Sequence, residues 1–305
     1  MHIQSGHVSR ALTRFVPAVV AVSVLAVFSG CSAAAPGAAD TSTAGTGEKA
    51  SLYSSLPADI QKKGSLTAAS DIEYPPFEAY DTDNTTVIGI DRDLADAIQK
   101  ELGVPITFEN VPFDSIIPGL AAKRYDLAMS AMSDTVVRQE QVDFVDYFNA
   151  GGAIMLPPSS TKNITTLDDL CGLKVAVDKG TTEVDDAAAQ DKKCTDAGKP
   201  VLETAVYPGQ NETILALQSG RADAALVDYS TGSYVAKTTG SGITMLPPYQ
   251  KLAFGIVFPK GDTALAEVFQ KALEKIKADG TYLTILKKYG EELGAVDSFT
   301  INGTK

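Results

Sequence analysis

From about residue 60 onward the chain alternates short apolar runs with longer stretches of helical periodicity, and this alternation narrows its possible folds more than any other feature. "LTAAS", "VIGI", "VPITFENV", "YDLAMS", "GLKVAV", "PVLETAVY" and "DAALV" read as strands. "DRDLADAIQKELG" places Leu94, Ala97, Ile98 and Leu102 at helical spacing and stops at Gly103. Asp114 reads as the N-cap of a helix through Ile116, Ile117 and Leu120. "NETILALQSG" and "DTALAEVFQKALEKIKADG" are further amphipathic helices. Strands alternating with helices imply an α/β fold of parallel sheets flanked by helices. The length, 305 residues, suits two modest domains or one large one.

One repeat bears on where such domains would divide. "MLPP" occurs at Met155–Pro158 and again at Met245–Pro248. Proline pairs end regular structure. The stretch between the copies reads as a self-contained α/β unit, so a domain inserted into another would have its two crossings near these places.

The N-terminus follows different rules. "MHIQSGHVSRALTR" carries Arg10 and Arg14 and no acid, and "FVPAVVAVSVLAVFSG" is apolar but shorter than the ~20 residues of a membrane span. Residues 1–31 therefore read as a secretory signal peptide. Its end, "VFSGC", resembles the bacterial lipobox, in which the cysteine, here Cys31, is acylated and begins the mature chain; Phe28 stands where that motif usually has leucine. Cleavage after Ala33-Ala34-Ala35 is the alternative. Residues 32–55, small and polar, read as a flexible tether. No later apolar run is long enough to cross a bilayer.

Residue counts exclude several chemistries. Three cysteines occur. If Cys31 takes lipid, Cys171 and Cys194 remain, and in an exported protein the two are expected to pair, closing a loop worth roughly 3 kcal/mol. Both histidines, His2 and His7, lie in the signal, so the mature chain lacks Ser-His and Cys-His chemistry and histidine-ligated metals. No metal and no cofactor is expected. Removing residues 1–31 takes away two arginines and no acid, so the net charge of −12 becomes −14, which makes nucleic acid an improbable partner.

In open α/β sheets, ligands sit beyond the carboxyl ends of strands. Four strand ends here carry polar residues: Asp71 after "LTAAS", Ser130 and Ser133 after "YDLAM", Gly180, Thr181 and Thr182 after "KVAV", and Asp228 after "DAALV". Arg138 follows the second group closely, and Thr135 reads as the N-cap of the turn that carries it.

"DIEYPPFEAYD", "IGIDRDLADAIQKELG", "PFDSIIPGLAAKRYDLAMSAMSDTVVRQEQVDF", "GLKVAVDKGTT" and "SGRADAALVD" fall in order, and together they resemble the bacterial extracellular solute-binding proteins of family 3, the amino-acid binders of ABC importers. The resemblance covers about residues 60–295. It implies a two-lobe periplasmic-binding-protein fold of type II, with residues 56–150 plus 254–300 as lobe 1, residues 151–253 as an inserted lobe 2, and a two-segment hinge between them. It also implies roles. Arg138 matches the clamp of the ligand α-carboxylate, a job suited to a planar, always charged guanidinium. Ser133 and Thr182 match donors to the same carboxylate, with Ser130 and Thr181 beside them. Asp228 matches the acid that holds the α-ammonium, Tyr74 and Phe113 the flanking aromatics, and Asp71 the reader of the side-chain tip. Departures from the family pattern are Ala131 in place of a common serine, Asp134 beside the clamp, where it either pairs with Arg138 or faces solvent, and Glu183 where an amide or other polar residue is common.

These roles imply an extracytoplasmic lipoprotein, held on the outer face of the cell membrane by lipid, that binds a free amino acid between its lobes and delivers it to an ABC permease. A monomer and no catalysis are expected. Asp71 and Glu183, with Glu73 nearby, favour arginine, lysine, ornithine or glutamine over acidic ligands. Opines and other derivatives stay open. Two other readings remain: a cyclohexadienyl-dehydratase-like enzyme on the same fold, with Glu183 as acid or base, and a sensor that presents its ligand to a receptor.

Overall fold

The computed structural model describes residues 50–158 and 160–305. The expected signal, Cys31 and most of the expected tether lie outside the described residues. The strands are β1 (Leu66–Ser70), β2 (Glu73–Tyr74), β3 (Glu78–Tyr80), β4 (Val87–Ile88), β5 (Ile106–Asn110), β6 (Leu127–Ala128), β7 (Val142–Ala150), β8 (Gly152–Leu156), β9 (Lys174–Asp178), β10 (Glu203–Tyr207), β11 (Ala224–Asp228), β12 (Thr244–Met245) and β13 (Leu252–Pro259). Two five-stranded sheets, ordered β5-β1-β6-β13-β7 and β10-β9-β11-β8-β12, each flanked by helices, make two lobes. A small sheet, β2-β3-β4, belongs to the first.

The lobes exchange chain twice, between Ala150 and Gly152 and between Met245 and Leu252. This explains a departure from all-parallel pairing. In both sheets the strands that alternate with helices run parallel, but β13 is antiparallel to β6 and β7, and β8 is antiparallel to β11. A strand entering a lobe from the hinge starts where the parallel strands end, so it must run the other way. The second "MLPP" copy opens the second crossing, as expected, whereas the first ends β8, after its crossing is complete. Met155 pairs with Met245 and Leu156 with Thr244, so the copies lie side by side at one edge of the second sheet.

Local sequence accounts for the helices that matter most. In Ile90–Leu102 the residues Ile90, Leu94, Ala97, Ile98 and Leu102 are buried on one stripe, and Gly103 ends the helix with φ +70°, donating its N–H to Gln99 O at 2.8 Å. That stripe packs against helices Thr263–Ala278 and Thr281–Tyr289. The lobe-1 core reaches the hinge through Phe77, whose ring meets Phe148 of β7 at 5.0 Å and Phe254 of β13 at 5.1 Å, both edge-on. The lobe-2 core gathers Ile154, Val175, Val177 and Leu226 around Cys194. Cys194 is bonded to Cys171 with the Cα atoms 5.6 Å apart.

Two expectations need correction here. The end of the supposed tether is folded: Tyr53–Ser55 form a 3-10 turn, Leu52 donates to Glu101 O at 2.9 Å, and Leu52 and Tyr53 pack on the lobe-1 core. The two apolar side chains gain by covering the end of helix Ile90–Leu102. Asp114 is not an N-cap either. It sits inside a 3-10 turn, Phe113–Ser115, the following helix Ile116–Ala121 starts after Ser115, and the Asp114 carboxylate pairs instead with Lys179 at 2.7 Å. No helix of the described residues is long and apolar enough to cross a membrane.

Candidate ligand-binding site between the lobes

The parallel strands of both sheets end toward the gap between the lobes, and the polar residues at those ends meet there. From lobe 1 come Tyr74, Phe113, Ala131, Ser133 and Arg138; from lobe 2 come Thr181, Thr182, Glu183 and Asp228. The free space among them is only about 10 Å³, close to the room one water needs. An amino acid is far larger, so entry requires the lobes to part.

Arg138 is aimed by its own turn. Thr135 caps helix Val136–Gln139, its hydroxyl accepting the Arg138 N–H at 3.2 Å. The guanidinium then donates to Ser133 O at 2.8 Å and, across the gap, to Gly180 O at 3.1 Å, and it lies 5.5 Å from the centre of the Phe113 ring. Gly180 permits this approach: its φ is +84°, and a Cβ there would come within 2.8 Å of the Asp114 side chain.

Facing Arg138 is the start of helix Thr182–Asp196. Its first turn lines the cavity, so unpaired N–H groups and the positive end of the helix dipole face the same place as the guanidinium. Glu183 and Asp228 lie on this wall too. Both are buried, and Glu183 Oε1 and Asp228 Oδ1 have no hydrogen-bond partner among the described residues. Burial pushes the pKa of both carboxyls up; for Asp228 the repulsion from Glu183 adds to this and the attraction of Arg138 opposes it. Burial likewise lowers the pKa of Arg138, with Glu183 and Asp228 as the leading counterweights.

Asp71 stands beside this cavity rather than in it. Its carboxylate accepts the Phe113 N–H at 3.1 Å, and it lines an adjoining pocket of about 220 Å³ together with Glu73, Glu212, Pro208 and Gly209. Burial, then Glu73 and Asp178, raise its pKa to about 7. Ser130 is not at the surface of either space. Its side chain is fully buried, accepts the Asp71 N–H at 2.9 Å and donates to Glu78 at 3.3 Å, so it supports Asp71 from behind. Ala131 takes its place on the cavity, held at φ +43°, an unusual backbone for a residue with a side chain. Asp134 neither pairs with Arg138 nor faces solvent. It is wholly buried and receives Gln139 Nε2 at 2.8 Å and the Thr304 N–H at 3.1 Å.

One residue escaped the sequence reading. Asp178, the last residue of β9, is buried and accepts the phenolic hydrogen of Tyr74 from the other lobe. Its place at a strand's carboxyl end, like those of Asp71 and Asp228, was the available signal. Glu73 also bridges the lobes, accepting the Asn211 N–H at 3.2 Å. A larger cavity of about 500 Å³ lies at the hinge, lined by Asn149–Gly151, Tyr229, Ser230 and Lys251 among others, without a buried acid.

A two-lobed α/β protein with one cationic clamp and several buried acids facing each other across its gap belongs to the class of ligand-binding proteins. More particularly, a family model, that of the bacterial extracellular solute-binding proteins, family 3, matches residues 66–292, and the chain belongs to that family. Among curated relatives, a putative ABC transporter arginine-binding protein 2 of Escherichia coli K12 is 34% identical over 72% of this chain and 88% of its own length. Among solved structures, an ancestral arginine-binding protein bound to arginine has a TM-score of 0.68 and 35% identity, covering 74% of this chain and 98% of that one. An ancestral arginine-binding protein bound to glutamine has a TM-score of 0.67 and 35% identity, over 75% and 99%.

Proposed function

We propose that the chain is the extracytoplasmic substrate-binding lipoprotein of an ABC importer, anchored through Cys31, which binds a polar or cationic amino acid between its lobes, closes on it by hinge motion and delivers it to a membrane permease. The observation that carries this reading is the placement of Arg138 and Asp228 on opposite lobes and on one cavity. A guanidinium and a carboxylate so placed meet the two charges of an α-amino acid head group. The Thr182–Asp196 helix start adds N–H donors on the carboxylate side. Asp71, Glu73 and Glu212 favour a cationic or donor side chain, with arginine, lysine, ornithine and glutamine the leading candidates. The expected affinity is micromolar or tighter, about −8 kcal/mol or better.

An enzyme acting on a purely anionic cyclic acid fits less well. Glu183 would serve as its acid or base, but Asp228 would then repel the substrate at close range. The test is a thermal-shift panel of the twenty common amino acids with ornithine, citrulline and opines. A ligand that binds the folded form raises its melting temperature by mass action. A rise with one or a few cationic or amide amino acids is expected, and a flat panel would overturn the reading.

A further inference from the structure

Asp178 ties a strand end of the second lobe to an aromatic wall of the cavity on the first. Its backbone closes β9 at the gap, and one carboxylate oxygen takes the phenol of Tyr74, a wall of the Arg138 cavity. The other oxygen, Oδ1, is buried and has no hydrogen-bond partner among the described residues, although the residue is only 1% exposed. A buried carboxylate oxygen without a donor is costly, and the cost falls only when a donor, best a charged one, arrives. On its far side are the acids of the adjoining pocket: Glu73 and Asp178 are among the neighbours that raise the pKa of Asp71, and Glu73 acts on Asp178 in the same sense. None of the residues lining that pocket is basic. Asp71, Glu73 and Asp178 thus act on one another across the two lobes, beside a pocket with no basic residue among its described lining.

We propose that Asp178 determines specificity: with Asp71 and Glu73 it demands a full positive charge, guanidinium or ammonium, at the end of the ligand side chain and rejects neutral amide or ureido counterparts of the same shape. This rests on the amino-acid-binding reading above and narrows it from polar or cationic ligands to cationic ones. A competing role for Asp178 is that of a plain latch, its bond to Tyr74 merely holding the lobes together. A latch would strengthen every ligand equally, whereas a charge requirement separates ligands that differ only in charge.

Arginine and citrulline supply that difference, because the ureido group copies the shape of guanidinium without its charge. Calorimetry on the intact mature chain should give the wild type at least about thirtyfold preference for arginine, the scale of a buried charged hydrogen bond lost. Asp178→Asn and Asp178→Ser, neutral variants of different size, should each cut that ratio about tenfold or more, chiefly by weakening arginine, while Asp178→Glu keeps most of it. Melting curves identify a variant that fails to fold, and the other then carries the test. An unchanged ratio in a folded neutral variant overturns the proposal, as does a wild type that binds citrulline as tightly as arginine; both leave amino-acid binding intact. A wild type that binds no amino acid removes both readings.

Discussion

The guanidinium of Arg138, on one lobe, donates a hydrogen bond to the carbonyl of Gly180, on the other, at 3.1 Å. The contact is made by backbone rather than by a carboxylate, so no carboxylate occupies the guanidinium fork, although Glu183 and Asp228 on the same cavity favour its charged form. Arg138→Ala is expected to weaken the best amino-acid ligand about a hundredfold or more, since a carboxylate would be left buried without its partner. Arg138→Lys should recover only part, because an ammonium cannot make the paired fork. Calorimetry checks both, and normal binding by the alanine variant would remove the site assignment.

Much of this site could be read from the sequence because strand ends are local features. β1 and β11 appear at "LTAAS" and "DAALV", and Asp71 and Asp228 follow from them directly. Arg138 was legible through the resemblance of its segment and the neighbouring ones to the family, with Thr135 read as the cap of its turn. Other parts were not. Helix Thr182–Asp196 buries Glu183, Ala187, Gln190 and Cys194, a stripe too polar to stand out as an apolar face. Tyr74 and Asp178 are 104 residues apart and make contact only across the gap between the lobes. Ser130 looked like a site hydroxyl from its position, yet Asp71 and Glu78 occupy it from behind, which only the packing reveals.

The acids of the cleft should make ligand binding depend on pH in a particular direction. Burial, Glu73 and Asp178 raise the pKa of Asp71 from 3.8 to about 7. Between about pH 4 and 7 the folded chain therefore holds a proton here that the unfolded chain releases, so this group's contribution to unliganded stability declines as pH rises through that window. A cationic ligand favours the ionised form, so its affinity should climb toward pH 7 and release protons on binding. Melting curves from pH 5 to 7.5, with and without arginine, should show a ligand-induced rise that widens with pH. In Asp71→Asn it should widen less, and identical widening in the two proteins would show that Asp71 is not the group involved.

The Cys171–Cys194 bridge joins the turn after Leu167–Leu170 to the last part of helix Thr182–Asp196, whose first turn lines the cleft. The two cysteines are 23 positions apart in sequence, so the loop-entropy model gives about 3 kcal/mol of stability. The double Cys171→Ser, Cys194→Ser variant should lose about that much in denaturant unfolding. Its ligand affinity should change less than about threefold, because the bridge lies at the opposite end of the helix from Glu183. A large loss of affinity with little loss of stability would reverse this division of roles.

The chain's last residues hold the turn that carries Arg138. Thr304 donates its N–H to Asp134 Oδ2 at 3.1 Å and its hydroxyl to Asp134 O at 3.0 Å, and Gln139 Nε2 reaches both Asp134 Oδ1, at 2.8 Å, and Thr304 O, at 3.0 Å. Asn302 adds two further bonds, its Oδ1 accepting from Phe144 N and its Nδ2 donating to Asp143. Below them Asp146 has its pKa raised to about 7, by burial first and by Asp134 next, so it is substantially protonated near neutrality and repels Asp134 less than a charged pair would. Ending the chain after Ile301 strips Asp134 of its Thr304 partners and Gln139 of its Thr304 acceptor, at a cost of roughly 1–3 kcal/mol in global stability. It also frees the turn between Ser133 and Gln139, so affinity for an amino-acid ligand should fall by more than about tenfold, with the enthalpy of binding made less favourable as Arg138 is ordered only on binding. Asp134→Asn keeps the size of the side chain and an acceptor, and should retain most of the affinity. If the shortened chain binds as tightly as the full one, the turn is rigid by itself and the strap only adds stability to β7.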